Sequence, residues 1–224
     1  MKYYLGSILA LMKKDLLLEF RTRDTITPVV VFALLVVIIF NFAIEPTPKI
    51  ISAVAPGVLW VAFTFSGILG LNRSFILEKD KGSLEGLILC PVSRDVIFFG
   101  KMLASLVFML TIEALIFPIF GLLFNVPLFI PEAILIAILA TIAFASLGTV
   151  FSAVAVGTRS REIMLPILFF PFVAPIIIAA VESTGVALKG KGLSDMGNWP
   201  QLIAVFDVVF LVASAFVFQF TLEE

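Results

Sequence analysis

Glu113 and Asp207 interrupt long runs of Leu, Ile, Val, Ala and Phe. An ionised carboxylate at the centre of a membrane helix costs about 2.5–3.5 kcal/mol on insertion scales. Such a cost is met by use, as a gate, an outer vestibule or a proton relay, or by neutrality with hydrogen bonds to neighbouring helices; the residues themselves leave both open. Other chemistry is scarce. There is no histidine, which removes the commonest general base and metal ligand. The single cysteine, Cys90, excludes an intramolecular disulfide and any thiolate metal cluster built from this chain. Gly185 to Gly192 nearly spells the phosphate-binding pattern GxxxxGKS/T, but Gly192 stands where the Mg²⁺-binding hydroxyl belongs and no strand precedes it. No residue is therefore assigned a catalytic or metal-binding role.

The elements that hold the two carboxylates are set by a bilayer. Hydrophobic residues make up 61% of the 224, charged residues 14%, and mean hydropathy is +1.18; a soluble core of this length could not bury 24 Phe side chains. A spanning helix needs about 20 largely apolar residues. Six stretches qualify: Ile26–Ile44, Ile50–Asn72, Val96–Phe120, Glu132–Gly157, Ile163–Val181 and Gln201–Leu222. Glu45-Pro46-Thr47-Pro48-Lys49 makes a tight hairpin between the first two, and Pro118 to Pro131 separates the third from the fourth. Lys and Arg are retained on the cytoplasmic side. They number twelve in the N-terminal arm and the loops after spans two and four, against Lys49, Lys189 and Lys191 on the other side. Both termini are thus expected in the cytoplasm. Tyr4, Leu5, Ile8, Leu11, Met12 and Leu16 repeat at helical spacing, and Lys13-Lys14-Asp15 follows without a small-x-small cleavage site. Residues 1–24 therefore read as an amphipathic helix lying in the cytoplasmic interface. The fold class is an all-α integral membrane protein, one domain over 1–224, with a cytoplasmic loop at 73–95 and an extracytoplasmic loop at 182–200.

Within the cytoplasmic loop, Gly82 breaks the preceding helix, Ser83 can cap a new one, and Pro91 stops it, leaving a short helix from about Leu84 to Leu89. Leu84, Leu87 and Ile88 form an apolar stripe, with Glu78, Asp80 and Glu85 as carboxylates beside it. The stripe suits either the membrane surface or a groove on a soluble partner. In span four, Ala137, Thr141, Ala145, Thr149, Ala153 and Gly157 recur every four residues. Small residues on one face let helix backbones approach closely in lipid; a narrow translocation surface is the other reading. In span five, Pro171 and Pro175 lie one turn apart on one face, with Pro166 nearby, which points to kinked, hinged geometry.

Glu78-x-x-x-Gly82-Ser83-Leu84-Glu85-x-Leu87-x-x-x-Pro91, followed by Ser93-Arg94 and Gly100-Lys101, resembles the coupling loop of exporter-type permeases in ATP-binding-cassette (ABC) transporters. Lys14–Arg21, Ala55–Ala62 and Phe170–Pro175 resemble the CcmB family, the haem exporter protein B permeases of cytochrome c maturation. The resemblance implies a six-span, non-catalytic permease of the bacterial cytoplasmic (inner) membrane, paired as a homodimer, that exports haem or drives release of a haem-loaded chaperone. It implies a CcmA-like ABC ATPase that carries ATP and Mg²⁺. Glu78, Gly82, Ser83, Leu84, Glu85, Leu87 and Pro91 would then couple this chain to it. CcmC-like and CcmE-like partner chains would handle the haem, in keeping with the absence of histidine here; no cofactor is expected on this chain and no nucleic-acid partner. Two alternatives remain: an ABC permease for a lipid, polysaccharide or drug, and a proton-coupled carrier using Glu113 and Asp207.

Overall fold

The computed structural model describes residues 2–45, 47–80, 82, 86–87, 89, 92–156 and 161–221, with Lys2, 72–80, 161 and 162 as backbone only. The long α-helices of the described residues follow in the order α1 (Lys2–Thr22), α2 (Ile26–Ala43), α3 (Pro48–Asp80), α4 (Arg94–Phe124), α5 (Pro131–Val156), α6 (Arg161–Ala187) and α7 (Trp199–Thr221). A single 3-10 turn, Leu193–Met196, precedes α7. Among the described residues there is no strand. Helices α2 to α7 are each long and apolar enough to span a bilayer, and the chain is a multi-pass membrane protein.

Several boundaries differ from those the sequence suggests. Helix α4 does not stop near Phe120 but continues through Pro118 to Phe124, where Asn125 turns left-handed (φ 50°) and the Val126 amide donates to the Gly121 carbonyl. Helix α6 likewise runs through Pro166, Pro171 and Pro175 to Ala187, so the loop expected from residue 182 begins only after that helix. A proline removes one backbone bond, but neighbouring helices hold the remainder in place, and such residues are tolerated inside spans. Helix α3 extends to Asp80, which makes residues 73–80 helical rather than loop. Pro48 and Pro131 occupy the first position of α3 and α5, where the missing N–H costs nothing.

Helix α5 is the hub and packs against α3, α4, α6 and α7. Its buried residues include Ala137, Ala140, Thr141, Ala143, Ala145, Ser146, Gly148, Thr149, Ser152 and Ala153. Small side chains allow this closeness, since association in lipid is driven by packing and hydrogen bonds rather than by water exclusion. The Ser152 hydroxyl donates to the Leu71 carbonyl on α3 at 2.9 Å. Trp60 of α3 is fully buried, and its Nε1–H donates to Thr184 Oγ1 of α6 at 3.0 Å.

The first helix forms as expected and docks on the bundle. Helix α1 packs along the first turns of α4, burying Ile8 and half-burying Leu11, Met12 and Leu16, while Leu5, Leu9 and Leu17 stay exposed. Gly100 makes this approach feasible: a Cβ there would lie 2.8 Å from Leu11 Cβ. Beside it, Lys101 is only 1% exposed and bonds Asp15 at 3.2 Å. Glu19 ends the arrangement by capping α2. Its Oε1 accepts from the Thr25 and Ile26 amides at 2.9 and 3.0 Å, and its Oε2 accepts from the Thr25 hydroxyl at 2.8 Å. A carboxylate is favoured where a helix N-terminus presents unpaired amides.

Asp15 is part-buried and Lys101 buried, and losing a hydrogen bond between charged groups there costs about 1.5–3 kcal/mol. Asp15→Ala should therefore lower the thermal midpoint of the detergent-solubilised protein, and Asp15→Leu combined with Lys101→Met should recover most of the loss. An unchanged midpoint in the single variant would remove the pair from the account of how α1 docks.

Candidate functional site

The loop after α3 meets the bundle at one defined place. Glu78 lies in the last turn of α3, and Gly82 follows in the left-handed region (φ 65°), exposed; glycine adopts this conformation without the Cβ penalty and so terminates a helix there. Ser83, Leu84, Glu85 and Pro91 lie outside the described residues. Leu87 is helical and half-buried, and with Val92 it packs on a cluster of Ile97, Phe98 and Met102 from α4, Ala145, Val150, Ala153 and Val156 from α5, and Phe218 from α7. Leu89, two positions on, is 83% exposed. Among the described loop residues, Leu87 and Val92 thus pack on a cluster drawn from three helices and Leu89 is turned away from it.

The exit of the loop is tied down as well. Arg94 Nη1 donates to the Gln219 carbonyl and Gln219 Nε2 donates to Asp95 Oδ1, each at 2.6 Å. These bonds join the last turn of α7 to the first turn of α4, about one turn before Gly100 and Lys101, where α1 rests. Lys14, Asp15, Arg94 and Lys101 all fall in the stretches that carry the resemblance, but nothing local to them signals burial or a partner on another helix.

The two intramembrane carboxylates are buried, Glu113 4% and Asp207 7% exposed. Glu113 Oε1 lies 2.6 Å from the Thr141 hydroxyl, which also lies 2.7 Å from the Ala137 carbonyl. One hydroxyl proton cannot serve both oxygens, so both contacts are hydrogen bonds only when Glu113 carries a proton of its own. Glu113 Oε2 is buried without a partner, as is Ser66 Oγ, and both residues line a void of about 10 Å³ between α3 and α4. On its other side Glu113 borders an apolar cleft of about 280 Å³ formed by α4, α5 and Phe129. Asp207 faces the Ala143 backbone on α5, at a geometry that leaves both its oxygens without a hydrogen bond.

Glu113 leans on Thr141 and Asp207 on the Ala143 backbone, two residues apart on α5 and so about 200° around that helix. The carboxylates sit at one level, with α5 between them. Of the small-residue stripe, Ala137, Thr141, Ala145, Thr149 and Ala153 are all buried, while Gly157 lies outside the described residues. Pro171 is exposed and Pro175 half-buried on an uninterrupted α6.

A sequence profile of the family described as CcmB protein matches residues 6–224. The chain is similar to Heme exporter protein B of Pseudomonas aeruginosa, with 29% identity covering 85% of this chain and 86% of that protein. It is also similar to proteins of the same name from Paracoccus denitrificans, at 33% identity over 78% of this chain and 80% of that one, and from Haemophilus influenzae, at 31% over 82% and 85%.

Because Ala145 is fully buried where α5 meets its neighbours, Ala145→Leu should overpack the subunit, costing about 1–3 kcal/mol and lowering the thermal midpoint while leaving the oligomeric state as it was. A changed oligomer with an unchanged midpoint would show that the stripe works between chains instead.

Proposed function

The chain belongs to the CcmB family, and on that premise we propose that it is the permease subunit of an ABC complex serving cytochrome c maturation, through haem export or ATP-driven release of a haem-loaded chaperone. In this reading two copies pair in the bacterial inner membrane with both termini cytoplasmic, and a separate CcmA-like ATPase hydrolyses ATP. The observation that carries it is Leu87, seated on a cluster shared by α4, α5 and α7. A push on the loop from a docked ATPase reaches three spanning helices at once, because a packed core repacks as a unit rather than deforming locally. Gly82 and the exposed Leu89 leave the outer side of the loop to the ATPase, with Glu78, Ser83, Leu84, Glu85 and Pro91 completing the coupling surface. Haem is handled by CcmC-like and CcmE-like partners, since this chain has no histidine to ligate iron.

Leu87→Asp places a carboxylate against the apolar cluster. It should insert normally yet lose ATP-dependent activity by about tenfold or more, the scale of a forfeited leucine contact. Normal co-purification of the ATPase together with normal activity would refute the coupling role.

The separation of Glu113 from Asp207 by α5 favours an ATP-driven cycle over a proton relay between them. Cytochrome c maturation should then survive Asp207→Asn, whose amide keeps the shape but cannot cycle a proton, and should fail when the ATPase is catalytically dead. Failure of Asp207→Asn together with maturation in the ATPase-dead strain would reverse the assignment in favour of proton coupling.

A further inference from the structure

Helices α3 and α4 flank the loop that carries Leu87, and near the middle of each the seam between them holds a polar side chain that no protein atom satisfies. Ser66 of α3 is 1% exposed and Glu113 of α4 is 4% exposed. Ser66 Oγ and Glu113 Oε2 are sealed from the exterior, so any partner they have is internal. Both residues line the void of about 10 Å³ whose other walls are Phe63, Gly67, Phe108, Met109 and Ile112. Gly67 lets Met109 close over it, since a Cβ there would lie 2.6 Å from Met109 Cε. Proton bookkeeping states what fits between the two oxygens. With the Thr141 hydroxyl donating to the Ala137 carbonyl, the contact at Glu113 Oε1 takes its proton from Glu113 itself, and Oε2 is left as an acceptor alone. The Ser66 hydroxyl has a proton to give. Buried polar groups without partners are costly in hydrocarbon, and one molecule that donates to Oε2 while accepting from Ser66 relieves both. An internal water needs about 10–15 Å³ and two to four polar partners, and the void meets the lower bound of each.

We propose that a single water molecule is bound between Ser66 and Glu113, donating to Glu113 Oε2 and accepting from the Ser66 hydroxyl. It completes a polar chain that runs from the Ala137 carbonyl and Thr141 of α5 through Glu113 of α4 to Ser66 of α3, so three spans are linked through one solvent molecule. The walls leave room for no larger ligand, and a cation would meet a protonated carboxyl there. The assignment is independent of which cargo the transporter carries.

Brief X-ray irradiation of the full chain in lipid nanodiscs makes hydroxyl radicals from every water, internal ones included, and radicals born in the void oxidise the side chains that line it. Phe63, on the void and 2% exposed, is the reporter. Phe144, fully buried against Phe169, is the reference for a phenyl ring with no water beside it. Phe63 should be oxidised several-fold more than Phe144. Ser66→Val fills the void and removes the hydroxyl, and should bring Phe63 down to the Phe144 level. Glu113→Leu, which removes the acceptor, should do the same and serves where Ser66→Val fails to fold, while Glu113→Gln, which keeps an acceptor oxygen, should retain the excess. Equal oxidation of Phe63 and Phe144 in the unaltered protein would mean that Ser66 and Glu113 close on each other directly and would overturn the proposal. An excess at Phe63 that persists in Ser66→Val would overturn it too, by showing that the radicals come from elsewhere.

Discussion

The hydrocarbon interior of a bilayer supplies neither donors nor acceptors, and the architecture of this protein follows from that shortage. Every spanning segment is a helix, so each backbone bond closes within its own segment, and side-chain polarity is turned inward onto other helices. Trp60 with Thr184, Ser152 with the Leu71 carbonyl and Glu113 with Thr141 are the same solution repeated between different helix pairs. Central α5 makes it workable. Its small residues bring α3, α4, α6 and α7 close enough for short hydroxyls to reach across, where larger side chains would hold the helices apart.

At the loop end the constraint changes, because water is near and charge becomes affordable. There the helices are joined by ionic and amide contacts: Lys101 to Asp15, Glu19 to the start of α2, Arg94 and Asp95 to Gln219. These bonds lash α1, the start of α4 and the end of α7 into one body, and the cluster beneath Leu87 lies within it. A loop that touched one helix could tilt that helix alone. Packed on a cluster drawn from α4, α5 and α7, Leu87 and Val92 bear on the joint core of all three.

The middle of the bundle holds the groups that do not close their own accounts. Thr64, Ser66, Ser146, Ser183, Asp207 and one oxygen of Glu113 are buried without hydrogen-bond partners. Such groups cost free energy and mark places where a protein accepts local instability for some other end. No structural contact accounts for both oxygens of Asp207.

The fold was largely legible in the residues. Apolar runs of spanning length, with prolines and charges at their ends, specify six helices, because each of these signals is local and the bilayer enforces it over a fixed thickness. The glycine that ends α3 and the apolar Leu87 were also readable, from turn chemistry and period. The pairings were not. Lys101 meets Asp15 across 86 positions, and Glu113 meets Thr141 across 28; neither separation leaves a mark in helical periodicity. Pro118 of α4 reads as the end of a span and the prolines of α6 as kinks, since sequence shows the lost bond but not the neighbours that hold the helix through it. The stripe on α5 reads as a close helix contact or as a narrow translocation surface. Spacing states only which residues share a face, and which face is covered depends on the three-dimensional arrangement of all six spans.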